Sequence, residues 1–329
     1  MAASLALVFS SAKNEDAEQT LEFALEFGGK GDAEGQFNSP IGIAISKDDR
    51  IYVTDLNNAR IQSFDTDGKF LGQFSLPNDV DGLKHSQAPG IAIADDGLLY
   101  VSFMLQHQIG VYSAAGELLQ QWGVEGDAPG QLNGPGGLVL DKQKRIYVAD
   151  QRNHRVQVFS LTGEFIQGFG SHGSDAGQFG GNEPKGSRFG GPHFLAIDSL
   201  DRIFTTEGTL ARVQRFDSQG HNESTWGNGS DAPGGFGALK TAFSENTFGP
   251  IAVMLDSQDR VWVSSLNDRV QAFSTDGKFL FGTGARGNGP GQFFRPHGMA
   301  MDSKGNLYVC DSSNHRIQKF RVVLKSKAE

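Results

Sequence analysis

The chain has 329 residues, 44 of them glycine, 25 phenylalanine and one cysteine, with a formal net charge of −9 at neutral pH. Glycine at roughly twice its ordinary ~7%, without a G-X-Y period, excludes collagen, and 38% hydrophobic residues are enough for a packed core. The single Cys310 excludes an internal disulfide framework and a cysteine zinc cage, and the acidic balance makes phosphate backbones poor general partners.

Residues 1–19 read as a flexible tail. The apolar stretch at residues 5–9 is too short for the core of a secretion signal and has no basic flank. That leaves two locations open for a soluble chain: secreted or periplasmic with a leader removed, or cytoplasmic. No apolar run reaches the ~18 residues of a membrane-crossing helix, so no membrane partner is expected.

Residues 20–27, TLEFALEF, have the composition of a strand. Six copies of one template follow: proline, a short apolar strand, a polar turn, an Ile-Tyr-Val strand, a second turn, an Arg-Val-Gln-Val-Phe strand, then Asp-Gly or its like. The first reads SPIGIAISKDDRIYVTDLNNARIQSF from Ser39 and the last RPHGMAMDSKGNLYVCDSSNHRIQKF from Arg295. The template prolines are Pro40, Pro89, Pro135, Pro192, Pro250 and Pro296. A fourth strand follows several copies, as at residues 69–74, 164–169 and 278–281. Short β-branched and aromatic runs bounded by Gly, Asp and Ser are strand signals, and four antiparallel strands repeated radially protect their own edges.

These segments resemble the NHL repeat, whose Asn-His-Leu-like triplet is occupied here by Asn153-His154-Arg155 and Asn314-His315-Arg316. The expected fold is all-β, a six-bladed propeller of four-stranded antiparallel blades forming one domain over residues 20–323, with a short tail at 324–329. The sixth copy runs out at Phe320, so the strand at 20–27 is expected to complete the last blade and close the ring. A monomer is expected.

With strands lettered a to d from the axis outward, the a–b and c–d turns are uniformly short, while the d–a connections vary. Successive template prolines lie 46 to 58 residues apart, and the extra length falls within 171–191 and 228–249. Variable loops on one side of a rigid scaffold put the site on the face shared by the d–a and b–c loops. The five glycine-rich linkers on that face, such as GGKGDAEGQF from Gly28, are read as turn chemistry. No helix follows to face a phosphate, so no nucleotide or flavin is expected.

Asp55, Asp150 and Asp311 end b strands, and Arg60, Arg155, Arg212, Arg269 and Arg316 begin c strands. Their recurrence predicts an ion-pair framework that includes His154 and His315. The second copy departs from it with Phe103, Met104 and His107, which with Phe194 are candidates for lining a ligand pocket. His193 and His297 each follow a template proline at the channel mouth, where neutral imidazoles suit zinc and other transition metals.

Pro-His at the start of strand a in alternate blades resembles the zinc site of peptidyl-hydroxyglycine alpha-amidating lyases, also NHL-type propellers. The resemblance implies three histidine ligands and an assisting arginine. His193 and His297 match two ligands; the third position, at Pro89-Gly90, carries no histidine, and His85 just before it is the candidate substitute. The lyase tyrosine position falls near Gln151 and Arg152. Glu207 is a candidate oxygen ligand or catalytic acid, and Arg295 a candidate for gripping a substrate carboxylate.

The expected function is a small-molecule or peptide site at the channel mouth, with one divalent metal such as zinc and a distantly lyase-like chemistry. The alternative is a non-catalytic scaffold that holds a protein partner with the long loops of the same face. RNA binding is disfavoured by the net charge and by the loop acids Asp175, Glu183, Asp231 and Glu245.

Overall fold

A computed structural model describes residues 17–77, 87–181, 190–237 and 249–326. Within them the strands form six four-stranded antiparallel sheets, plus a two-residue parallel pair between His172–Gly173 and Phe179–Gly180. The first blade runs Pro40–Ile45, Ile51–Asp55, Arg60–Phe64 and Phe70–Ser75, in that spatial order. Blades two to five repeat the plan, and the sixth has Pro296–Met301, Asn306–Asp311 and Arg316–Ser326. No helix among the described residues is long and apolar enough to cross a membrane.

The inner strands are buried on both faces because neighbouring blades cover them, and their polar residues, such as Thr54 and Gln62, are buried as well. Ile51–Asp55 and Arg60–Phe64 are buried at every residue, whereas the outer Phe70–Ser75 alternates half-buried and exposed. Each joint between blades has its own apolar cluster, six in all among the described residues. Tyr308, Cys310 and Ile317 of the last blade, for example, pack against Ile51, Val53 and Phe64 of the first. Cys310 is a core residue, and burial pushes its thiol well above the ordinary range. The linker residues Phe37, Leu132, Phe179, Phe236 and Phe293 are all fully buried, sealing five of these joints from the loop side.

The rim has a second device. A β-carbon on Gly68, Gly116, Gly163, Gly220 or Gly277 would lie 2.3 to 2.6 Å from the side chain of Phe27, Phe74, Trp122, Phe169 or Trp226, respectively. Each glycine sits in a c–d turn at positive φ, and each aromatic ends or nearly ends the outer strand of the preceding blade. Five joints are therefore clasped by a ring laid on a bare backbone.

The joint between blades five and six lacks that clasp, because the outer strand of blade six comes from the other end of the chain. Ala17–Gly28 pairs antiparallel with Arg316–Ser326, from Ala17↔Ser326 to Gly28↔Arg316, with a register shift between Phe23 and Leu25. The expected closure by the N-terminal strand is what the structure shows. The ribbon also continues past Phe320, where the repeat template ends. Leu21 and Val322 pack on the cluster between blades five and six, and Arg260 donates to Gln19 at 2.8 Å.

Candidate functional site

The ion-pair framework decides what is left over for a site. Asp55, Asp150 and Asp311 are fully buried, and each accepts from the Nε of its arginine: Arg60 at 2.8 Å, Arg155 at 2.7 Å and Arg316 at 2.8 Å. Each also accepts a linker N–H, from Asn38, Asn133 or Phe294 at 2.6 to 2.8 Å, and an amide of Asn58, Asn153 or Asn314 at 2.7 to 2.9 Å. The rest of each guanidinium grips linker carbonyls; Arg60 donates to those of Asp32, Ala33 and Gln36. A buried charge is tolerated only when paired and fully hydrogen-bonded. Here the same pair fastens each glycine linker to its blade.

Glu207 fills this post in blade four. It is fully buried and accepts from Arg212 Nε at 2.7 Å, from Gly180 N–H at 2.6 Å and from Thr209 Oγ1 at 3.1 Å. Burial raises its carboxyl, against the nearby charge of Arg212 and these hydrogen bonds. The structure therefore gives Glu207 a framework role. The linker glycines have a structural reason as well: a β-carbon on Gly31 would collide with the Gln36 amide, which caps Ala33 N–H at 3.2 Å.

One residue past the b–c turn, every blade places a non-glycine in the left-handed region: Ala59, His107, His154, Ala211, Asp268 and His315, with φ from 49° to 63°. Four of them reach across to the next linker. His107 Nδ1 accepts from Gly134 N–H at 3.0 Å, His315 Nδ1 from Ser39 N–H at 3.2 Å, and Asp268 from Arg295 N–H at 2.8 Å. His154 Nδ1 lies 2.6 Å from the Gly190 carbonyl, which can only accept, so that nitrogen carries the proton. These side chains latch blade to blade.

The pocket candidates of the second blade separate accordingly. Phe103 is fully buried in the cluster between blades one and two. His107 is a latch, its other ring nitrogen 3.7 Å from Glu125, and burial lowers its pKa. Met104 is half-buried, with its N–H on the Gln87 carbonyl. Only Phe194 lines the central channel, a cavity of about 240 Å³ bordered by the a strands of all six blades. Its wall includes the side chains of Ile43, Ile91, Leu138, Val253 and Met299, with strand backbone exposed between them.

His193 and His297 each precede a channel-lining residue, Phe194 and Gly298. The His193 carbonyl accepts Gly137 N–H of the neighbouring blade, and its ring lies over Gly208. The His297 Nδ1 is 2.9 Å from the Arg295 carbonyl, so Nδ1 donates and Nε2 keeps the lone pair. Burial, aided by the charge of Arg295 and opposed by that hydrogen bond, pushes this imidazole down to about 4. His297 is a neutral base or ligand at pH 7.

Three residues that sequence reasoning did not select complete this corner. The Arg286 guanidinium lies 4.3 Å from the centre of the Phe294 ring, and that of Arg295 lies 5.8 Å from it. Asp268, buried, holds the Arg295 backbone; burial raises its carboxyl, with the Arg295 N–H bond and the charges of Arg286 and Arg295 acting against this. A signal was present. The residue before the template proline is Ser39, Ala88, Gly134, Gly191 or Gly249 in the other copies and Arg295 in this one.

His85 lies outside the described residues, as do 182–189 and 238–248 of the two long loops. Among the described residues, no three His, Cys, Asp or Glu side chains are grouped to hold a metal ion. Of the three histidines expected as ligands, the described residues hold His193 and His297, against the three protein ligands of catalytic zinc.

Comparison with known proteins fits this architecture. The NHL repeat family model matches residues 37–64, 132–159 and 293–320. Those stretches hold the three complete Asp-Asn-Arg frames described above. Protein brain tumor of Drosophila melanogaster is 42% identical over 62 residues, which is 19% of this chain and 6% of that protein. The chain thus matches only a small part of that relative's length. Among solved structures, virginiamycin B lyase from Staphylococcus aureus superposes with a TM-score of 0.57 at 16% identity, covering 93% of this chain and 100% of the other. A gluconolactonase from Xanthomonas campestris gives 0.60 at 15%, covering 88% and 87%. At such identity the likeness is one of fold. The chain is a six-bladed β-propeller, and three of its blades carry stretches that match the NHL repeat.

Proposed function

We propose that the propeller binds a small molecule or peptide through a carboxylate at the channel mouth of blade six, where Arg295 receives the anion and His297 stands beside it as a neutral base. The observation that carries this reading is the blade-six entrance itself. It keeps the framework Asp311 and Arg316 of its repeat, yet it alone of the six copies has an arginine directly before the template proline, followed by His297. An arginine fork pairs bidentately with a carboxylate, and an imidazole whose Nδ1–H is fixed by a carbonyl presents a defined Nε2 lone pair.

Isothermal titration with a short peptide and its C-terminal amide tests the reading. The free acid should bind at least tenfold tighter, a margin that Arg295→Ala removes, as expected for a charge-assisted hydrogen bond of ~1.5–3 kcal/mol. Equal binding of acid and amide would overturn it.

A lyase-like reaction at a divalent metal is a separate proposal, held by His193, His297 and His85. Bound there, a zinc ion would act as a Lewis acid. Its test is the metal content of the purified protein. One equivalent that falls away in both His193→Ala and His297→Ala would support it; a metal-free protein after growth with zinc would end it.

A further inference from the structure

We infer that the propeller has a second anion site, where Arg50 of blade one holds a small free carboxylate of formate or acetate size. The site lies between blades one and two on the side of the short a–b and c–d turns, and it does not depend on Arg295 or His297.

The first observation is a broken pattern. In blades three, four and five the a–b turn starts with an aspartate and ends four residues on with an arginine: Asp141 and Arg145, Asp198 and Arg202, Asp256 and Arg260. One oxygen of each aspartate accepts the arginine backbone N–H at 2.7 to 3.0 Å, and the other accepts its Nε at 2.6 Å. Blade one keeps the arginine as Arg50 but starts the turn with Ser46. The Ser46 Oγ takes over the first task, accepting the Arg50 N–H at 3.0 Å. The second task is left undone: the Arg50 Nε is buried and has no hydrogen-bond partner among the described residues. The guanidinium keeps its usual place, 5.4 Å from the centre of the Tyr52 ring, as those of Arg145 and Arg260 lie 5.6 Å from Tyr147 and Trp262. Asp48 of the same turn is exposed and accepts from the Ser46 hydroxyl instead. A half-buried charge calls for a partner, and here the turn does not supply the carboxylate.

The second observation is a cavity. Arg50 lines a space of about 110 Å³ with Ser63, Gly72 and Phe74 of its own blade and Ala114 and Ala115 of blade two. None of the lining residues is acidic. The Arg50 Nη2 donates to Ser63 Oγ at 2.8 Å and lies 3.7 Å from the point a β-carbon on Gly72 would occupy, so the outer edge of the fork faces this space. At ~30 Å³ per water the volume equals roughly three or four water molecules, which suits formate or acetate and is too small for a larger body. An arginine fork pairs bidentately with a carboxylate, and the Phe74 side gives the methyl of acetate an apolar wall. Because two blades supply the walls, a ligand bound there stabilises the joint between them.

The test is thermal unfolding in formate or acetate, with chloride at equal ionic strength as the reference. A hundredfold rise in formate through its dissociation constant should raise Tm by roughly 2 °C or more. Arg50→Gln should remove this shift. Ser46→Asp, which restores the turn's own carboxylate, should remove it as well while raising the Tm measured in chloride. Gly72→Val, whose β-carbon makes only ordinary contacts, fills the cavity and should have the same effect on the shift; circular dichroism checks that each variant is folded. N-acetylaspartate amide, which carries the same head on a peptide backbone, should give no shift. A shift shared by the wild type and Arg50→Gln is general salt action and overturns the inference, as does the absence of any shift or an equal one with N-acetylaspartate amide. A shift lost in Arg295→Ala but kept in Arg50→Gln overturns it too, and assigns the carboxylate to the channel mouth.

Discussion

Blades three and six share one plan and differ at one corner. Both carry the buried aspartate, the asparagine and the arginine that fasten the linker: Asp150, Asn153 and Arg155 in one, Asp311, Asn314 and Arg316 in the other. Both have a histidine latch at positive φ, His154 and His315. Yet blade three enters its a strand through Asn133-Gly134-Pro135-Gly136, and blade six through Phe294-Arg295-Pro296-His297. The lesson is a division of labour: what repeats builds the ring, and what departs from the repeat is available for chemistry. Four measurements break or sharpen that contrast.

The largest effect should come from the shared part. Asp150→Ala leaves the Arg155 guanidinium and the Asn133 N–H without their buried acceptor, and urea unfolding should show a loss of ~3–5 kcal/mol. Arg295→Ala, at the variable corner, should cost under ~1 kcal/mol. A similar cost for the two would erase the distinction drawn here.

Next comes pH. The His297 pKa is about 4 in the folded protein, against ~6.5 in an unfolded chain. The unfolded state therefore binds more protons between these values, so stability falls as pH drops from 6.5 towards 4 and levels off below. The loss should reach at most ~3 kcal/mol, and His297→Gln should remove it. Stability curves of the two proteins that stay parallel across this range would contradict the assignment.

Third is the rim clasp. Gly163→Ala adds a β-carbon 2.6 Å from Trp122 at φ 89° and should cost ~2–3 kcal/mol from strain and crowding together. Gly97→Ala, at φ 84° with open space around it, should cost only the ~1–2 kcal/mol of the backbone term. Equal thermal shifts would mean that the aromatic contact contributes nothing.

The smallest effect should be His315→Ala. Alanine already occupies this left-handed position in blades one and four as Ala59 and Ala211. Only the hydrogen bond to Ser39 N–H is lost, about 0.5–1.5 kcal/mol.

The fold was legible because each blade repeats its instructions. Pro at the mouth recurs in all six copies, Arg at the start of strand c in five and Asp at the end of strand b in three, and the strand at residues 20–27 had no other partner. The candidate site was half legible. Pro-His stood out at His193 and His297, and Arg295 was found beside it. Arg286 was not, because it sits nine residues before Arg295 on the far side of a glycine turn, and only the folded linker lays it on Phe294. Glu207 looked like a spare acid because glutamate stands where the repeat has aspartate; its geometry is that of the frame. Phe103 and His107 were grouped as neighbours in sequence, but a b–c turn sends one into the core and the other to a latch.

The paired ribbon that closes blade six also imposes a schedule on synthesis. Glu26 and its partner Arg316 lie 290 positions apart, so at ~5–20 residues per second roughly 15–60 s separate the emergence of the two strands from the ribosome. Throughout that interval a strand bearing Leu21, Phe23, Leu25 and Phe27 has no native partner. An apolar strand left waiting invites pairing with other chains. Glu22 and Glu26, spaced among those residues, supply the like charge that discourages it. Their replacement by neutral residues should show first in the yield of soluble protein, before any change in the finished ring.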